Sequence, residues 1–245
     1  MDYKDLIKKL DKKKMPAHIA VIMDGNGRWA KKFGANRLWG HKNGVESVRA
    51  IVEASVEIGL KYLTIYAFST ENWSRPEDEV KGLLKLILDS LINEIDSMNK
   101  QNIVVRFLGT DLGLSEEYRN KIKAECDKTS ANTGLNFNIA FNYGGKQEMI
   151  EAIKAVSDKV KNNEIQLNDI TPELISDHLY TKNMPDPDLI IRTSGEKRLS
   201  NFLIWQSAYS EFYFTDILWP DFKKPEYLQA IIDYQNRQRR YGGTK

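Results

Sequence analysis

The sequence predicts an α/β fold: a single domain with a central, mostly parallel sheet of about six strands flanked by helices. Two observations carry that expectation. Short apolar runs with the branching of buried parallel strands alternate with longer stretches of helical periodicity, the order that builds strand–helix–strand units with right-handed crossovers. No internal repeat, low-complexity tract or linker divides the 245 residues, so one large domain is favoured over two small ones.

The elements follow in order. Residues 1–15 form a basic lead-in, helical or frayed over Lys4–Lys14, whose lysines read as a solvated face with a weak pull toward anionic lipid. The run Ile19-Ala20-Val21-Ile22-Met23 is the first strand; it stops at Asp24 and the turn Gly25-Asn26-Gly27, and a helix starts at Arg28-Trp29-Ala30. Val45, Val48, Ile51, Val52, Ser55 and Ile58 keep helical spacing until Gly59. Tyr62–Phe68 is the second strand, and Pro76 with Glu77, Asp78 and Glu79 suits the first turn of a helix over Glu77–Asn99. In that helix Leu84, Leu88, Leu91, Ile95 and Met98 form a stripe that Leu83, Leu86, Ile87 and Ile92 widen, either a core-facing helix or the wall of an apolar channel.

Ile103–Leu108 is the third strand, Ser115–Thr129 an amphipathic helix, and Leu135–Phe141 the fourth strand, ending in Asn142-Tyr143-Gly144-Gly145. Lys146–Lys161 is helical, and Thr171-Pro172-Glu173 caps a short helix ending near Tyr180. Asp188–Ile191 is a short strand, Glu211 opens a last strand through Phe214, and Trp219-Pro220-Asp221-Phe222 leads to a helix over Tyr227–Arg240, with a tail over residues 237–245.

Composition narrows the function. Hydrophobic residues at 41% and charged residues at 29% are those of an ordinary globular chain, and a net charge of +2 gives no support to nucleic-acid binding. A lone Cys126 rules out a disulfide framework and a cysteine zinc site, and fits a reducing compartment. The N-terminus lacks the apolar core of a signal peptide, and no run reaches the length of a membrane span. A soluble, cytoplasmic protein is expected, with any membrane contact peripheral.

Every polar cluster falls after a strand. In parallel sheets ligands bind beyond the C-terminal strand ends, so Asp24 with Arg28, Ser69 with Asn72 and Arg75, and Arg192 with Arg198 would face one crevice. The glycines of the first turn let the backbone approach an anion, and arginine forks match phosphate oxygens. A carboxylate at the mouth of such a cradle repels phosphate unless a divalent cation lies between them, which points to a magnesium-bridged diphosphate with Arg28, Arg37 and His41 as donors. Gly25–Ala30 also matches the dinucleotide pattern GxGxxA, and an ordinary strand–turn–helix corner is the bland alternative. Against the dinucleotide reading stand Asp24, the bulk of Arg28 and Trp29, and a next strand some ten residues late for a compact unit.

The stretches MDGNGRWA, Gly40-His41, YAFSTENWSRP, FNYGG, RTSGEKRLSNFLIWQSAYSEFYF and WPDF together resemble the cis-prenyltransferases, from His18 to Phe222 and again in Arg239-Arg240-Tyr241-Gly242-Gly243. One departure is Lys146, where the family pattern leads one to expect Arg. The resemblance implies condensation of isopentenyl diphosphate onto farnesyl diphosphate with cis double bonds. The product would be a long-chain polyprenyl diphosphate, of undecaprenyl length, for the lipid carrier of cell-wall polysaccharide. It also implies a homodimer and an apolar tunnel. Residue by residue, it assigns Asp24 to Mg²⁺ and to the allylic diphosphate, with Gly25, Asn26, Gly27, Arg28, Arg37 and His41. It assigns Arg192, Arg198 and Ser200 to isopentenyl diphosphate, with Leu199 beside them, and Glu211 to the metal. Trp29, Ser69, Thr70, Glu71, Trp73 and Arg75 would line the starter site or its lid, with Asn72 positioning or relaying the departing proton. Leu84, Leu88 and Leu91 would form the tunnel wall and Leu135 its floor.

Overall fold

The computed structural model describes residues 3–239; residues 240–243 of the C-terminal motif lie outside it, and the last helix runs over Lys224–Gln235, starting before Tyr227 and ending short of the expected Arg240. Six strands, β1 (His18–Ile22), β2 (Tyr62–Ser69), β3 (Val104–Leu108), β4 (Asn136–Tyr143), β5 (Leu189–Arg192) and β6 (Glu211–Phe214), form one sheet in the order β3-β4-β2-β1-β5-β6. All pairings are parallel.

Alternation sorts β1 between two apolar layers. Ile19 and Val21 pack into the larger core, whereas Ala20 and Ile22 join Ile190, Phe202 and Leu203 in the smaller one. Five successive buried residues are therefore required, which is why the run reads as continuously apolar rather than alternating.

The late second strand has a structural cause. Two helices, α2 (Asn26–Lys32) and α3 (Arg37–Glu57), fill the first crossover, so α3 begins well before the periodic stretch at Val45. Asn36 caps α3 by accepting the Trp39 N–H. The helices meet at Gly40, where a Cβ would stand 2.1 Å from the Asn26 carbonyl oxygen. The other helices are α1 (Tyr3–Lys9), α4 (Glu77–Lys100), α5 (Glu116–Asp127), α6 (Gly145–Lys161), α7 (Pro172–Ser176) and α8 (Lys224–Gln235). α7 is shorter than expected.

Topology places the crevice. The chain leaves β1 toward β2 on one side and leaves β5 toward β6 on the other, so β1 and β5, adjacent in the sheet, diverge above their C-terminal ends.

At the opposite end of β1, His18 is fully buried. Its Nδ1 lies 2.7 Å from the Pro185 carbonyl and its Nε2 2.7 Å from the Thr64 hydroxyl, an arrangement that suits the neutral ring. Burial lowers its pKa to about 4, outweighing the Pro185 carbonyl and Asp188. The unfolded chain therefore binds a proton that the folded chain refuses between about pH 6.5 and 4, and stability present above that window is lost on acidification. Urea unfolding should show the parent losing about 2 kcal/mol more than His18→Asn between neutral pH and pH ~5. Parallel losses in the two proteins would show that His18 is not the group responsible.

Candidate functional site

A cavity of about 320 Å³ opens above the β1–β5 divergence, lined by Asp24, His41, Asn72, Arg75, Arg192 and Arg198 among others. Its centre is an ion pair. Arg192, the last residue of β5, is buried, and its Nη2 donates to Asp24 Oδ2 at 3.0 Å. Its Nη1 donates to the Arg198 carbonyl and to Ser200 Oγ (2.8 Å), which folds the loop after β5 around the guanidinium. The Nε of Arg192 is buried and finds no protein acceptor.

Asp24 Oδ1 accepts the Gly25 N–H at 2.7 Å and lies 3.5 Å from Arg28. Burial alone would raise its pKa, but the Arg192 hydrogen bond and charge, with Gly25 and Arg28, hold it below the usual carboxylate value. Gly25 has φ +107°, and a Cβ there would press on Leu218 and Ser194, so glycine is required at this turn. Asn26 is buried, with its Nδ2 on the Met23 carbonyl and its Oδ1 without an acceptor's partner. Arg28 Nη1 donates to the Ser194 carbonyl (2.9 Å), Nη2 reaches the Ser194 hydroxyl, and the side chain pairs with Glu196 at 3.3 Å. Arg198 pairs with the same Glu196.

The strand-to-helix segment after β2 forms the opposite wall. Residues Thr70–Ser74 make a 3₁₀ turn capped reciprocally: Ser69 accepts the Asn72 N–H, and Asn72 Oδ1 accepts the Ser69 N–H at 3.1 Å. The amide oxygen of Asn72 is thus already committed to a backbone donor, which suits positioning rather than proton abstraction. Glu71 accepts from Asn201 at 2.7 Å and from Thr70. Trp73 donates its indole N–H to Asn142 Oδ1 at 2.7 Å.

Glu79 was not foreseen. It accepts from both Arg37 (3.2 Å) and Arg75 (3.1 Å), joining α3 to the segment after β2. The signal was the spacing of four from Arg75, hidden because acidic residues suit a helix start anyway. Beside this pair His41 has its pKa lowered to about 4 by burial and the two arginine charges, against the opposing Glu79. It is a neutral donor or acceptor here, not a cation.

One side of α4 borders an apolar cavity. A cavity of about 160 Å³ runs between α3 and α4 over the sheet, with Val48, Val52, Leu83, Ile87, Leu91 and Phe137 among its walls. It shares Met23, His41, Ala67 and Leu83 with the polar cavity, so the two adjoin across these residues. Among the proposed wall residues Leu91 lines it; Leu84 and Leu88 do not, and Leu84 faces α5, its carbonyl accepting from Tyr118. Leu135 is buried in the same core but is not in the lining; Phe137 and Ile139 are the β4 residues that form the floor.

Three further expectations are corrected. Glu211 begins β6 level with Leu189 and Ile19, on the order of 10 Å below the end of β1, and pairs with Arg237 at 3.0 Å. It cannot meet Asp24 of its own chain. Trp29 points away from the cavity, stacked on Trp39 (4.9 Å) with its N–H on Asp221. Leu199 packs with the smaller core rather than lining the cavity.

The prenyltransferase family model, described as that of undecaprenyl diphosphate synthase, matches residues 22–242. An isoprenyl transferase of Clostridium perfringens is 53% identical over 232 residues, covering 95% of this chain and 92% of that protein. A ditrans,polycis-undecaprenyl-diphosphate synthase of Haemophilus influenzae, described as (2E,6E)-farnesyl-diphosphate specific, is 49% identical over 236 residues, covering 96% and 99%. Lavandulyl diphosphate synthase from Lavandula x intermedia, crystallised with dimethylallyl diphosphate, superposes with a TM-score of 0.91 at 35% identity, covering 94% and 99%.

Asn142 ties these parts together. With φ +51° it ends β4 and donates to the Thr110 (2.6 Å) and Leu112 (2.8 Å) carbonyls while accepting from Trp73. Asn142→Gly keeps the backbone conformation and removes all three bonds; it should cost about 1–3 kcal/mol and expose Trp73 to acrylamide quenching. Unchanged quenching would mean that Trp73 is anchored otherwise.

Proposed function

This chain belongs to the undecaprenyl diphosphate synthase family of prenyltransferases, and on that footing we propose how its cavities carry out sequential cis-condensation of isopentenyl diphosphate onto farnesyl diphosphate. One observation carries the reading: a polar cavity lined by Arg75, Arg192 and Arg198 borders an apolar one across Met23, His41, Ala67 and Leu83. A substrate with a diphosphate head and a hydrocarbon tail fits that junction, and a dinucleotide does not.

In the proposed arrangement the allylic diphosphate takes the side of Asp24, Arg28, Arg37 and His41, and isopentenyl diphosphate the side of Arg192, Arg198 and Ser200. The arginines rest on Glu79, Glu196 and Asp24, so incoming diphosphates replace carboxylates as their partners. The leaving diphosphate gains negative charge as the allylic C–O bond breaks, and fixed guanidinium groups oriented beforehand favour that state. The isopentenyl double bond then attacks the allylic carbon. Asn72 orients the segment beside the reacting carbons, and a diphosphate oxygen takes the released proton, because a neutral amide is a very poor base.

Asp24 is the one carboxylate lining the polar cavity, and no cluster of three metal-ligating side chains occurs among the described residues. That set fits Mg²⁺, which is held by one or two carboxylates plus substrate phosphates and would supply charge stabilisation to the leaving group. Glu211 can contribute only from a second copy, in keeping with a homodimer. The product would be the undecaprenyl carrier precursor for cell-wall polysaccharide. No helix among the described residues is long and apolar enough to cross a membrane.

The apolar cavity, about 160 Å³, matches one that holds a single benzene molecule. A long polyprenyl chain therefore needs α3 and α4 to part as it grows.

The test of the reading is transfer of label from isopentenyl diphosphate into an extractable apolar product, primed by farnesyl diphosphate, with and without Mg²⁺. Asp24→Asn keeps an oxygen acceptor for Arg192 and should still lose on the order of a thousandfold in turnover. Turnover within tenfold of the parent would rule out Asp24 as the metal-bearing group.

Product length tests the tunnel. Leu91→Trp should block the cavity and shorten the products. Ile139→Ala, on the floor, should lengthen them, while costing about 2–5 kcal/mol of stability. An unchanged length distribution in both variants would place chain growth elsewhere.

A further inference from the structure

Residues 25–45 contain no Asp or Glu, and part of this segment forms a surface that the condensation reaction does not use. Phe33 is 61% exposed, Trp39 39% and Leu38 37%. Phe33 packs tilted against Trp29 at 4.6 Å and edge-on against Trp39 at 5.6 Å, so the rings form one patch rather than scattered apolar residues. Lys31, Lys32 and Lys42 stand exposed around it, and none has an ion pair among the described residues. Leu38 continues the patch onto α4, its Cδ atoms closest to Gly82, the residue before Leu83 at the junction of the two cavities.

We propose that this patch, Phe33, Leu38 and Trp39 ringed by Lys31, Lys32 and Lys42, seats the enzyme on an anionic lipid bilayer beside the mouth of its tunnel. Three lines of physical chemistry support it. Tryptophan rings with an exposed apolar face, such as Trp39, are the side chains that settle at the headgroup level of a bilayer. Unpaired lysines beside them complement the negative potential of an anionic leaflet, where each contributes about a fivefold gain in affinity. A contiguous apolar patch on a soluble protein marks an interaction surface. The inference rests on the reading of the product as a polyprenyl diphosphate, a molecule that leaves the protein for a bilayer; docked here, the junction of the two cavities lies next to the lipid.

Flotation of the full chain with vesicles tests it without turnover. The parent should bind phosphatidylglycerol-containing vesicles at least tenfold more strongly than pure phosphatidylcholine. Phe33→Ser with Trp39→Ser should reduce binding to both vesicle types about tenfold. Lys31→Gln with Lys32→Gln should remove most of the preference for the anionic vesicle. Each variant should keep condensing activity on soluble substrates, which reports that the fold is intact. Equal flotation of parent and variants, or no flotation of the parent, overturns the proposal. So does a parent that is larger by light scattering than the Phe33→Ser, Trp39→Ser variant, since a second copy would then cover the patch. An inactive parent that still floats would instead refute the reaction, leaving the surface in place.

Discussion

The Asp24–Arg192 contact is the interaction on which the rest of the site depends. A guanidinium whose side chain is 4% exposed pays a large desolvation cost unless acceptors surround it. Asp24, the Arg198 carbonyl and Ser200 Oγ are those acceptors. Asp24 follows β1 and the other two lie in the loop after β5, so satisfying one charge fixes the turn after β1 and that loop against each other. The loop accepts left-handed backbone at Ser194, Ser200, Asn201 and Leu203, conformations that cost energy in non-glycine residues and persist where surrounding contacts over-determine them. A site built this way binds charge without having to assemble first.

The sheet separates a polar lining from an apolar one. Adjacent β1 and β5 diverge at their C-terminal ends, leaving polar termini unopposed there, while the face carrying Ile65, Phe137 and Ile139 continues downward as an apolar floor. Alternation along β4 puts Phe137 and Ile139 on that floor and sends Asn138 to the other face, where it donates to Thr64 beside His18. Strand periodicity thus makes one face of the sheet the apolar floor, below the polar strand ends.

What the sequence made legible was the ordering of strands and the convergence of clusters at their ends, because both follow from local periodicity and a general rule of parallel sheets. What it hid depended on direction. Trp29 sits three residues from Asn26 in a helix whose faces diverge, and its ring turns to Trp39 rather than to the cavity. The α4 stripe is wider than one face, and only the tertiary placement of α3 on one side and α5 on the other separates tunnel residues such as Leu91 from core residues such as Leu88. Glu211 begins its strand while Arg192 ends one, and a residue's distance from a strand end depends on register, which the sequence alone leaves undetermined. Glu79 and Asn142 were masked by their ordinary roles, a helix start and a strand end.

The resting charge arrangement also sets the protonation state of His41. Two guanidinium groups converge on Glu79, and with burial they keep the imidazole neutral. An arriving diphosphate reverses the local sign: its negative charge offsets Arg37 and Arg75 and favours a protonated ring. Burial and the two arginines keep the histidine neutral in the empty site. Glu79 limits how far the arginine charges repel that proton, so a carboxylate outside the cavity lining helps set the charge available inside it. Sequence spacing placed His41 at the site, and the packing of Glu79 against both arginines decides its protonation there.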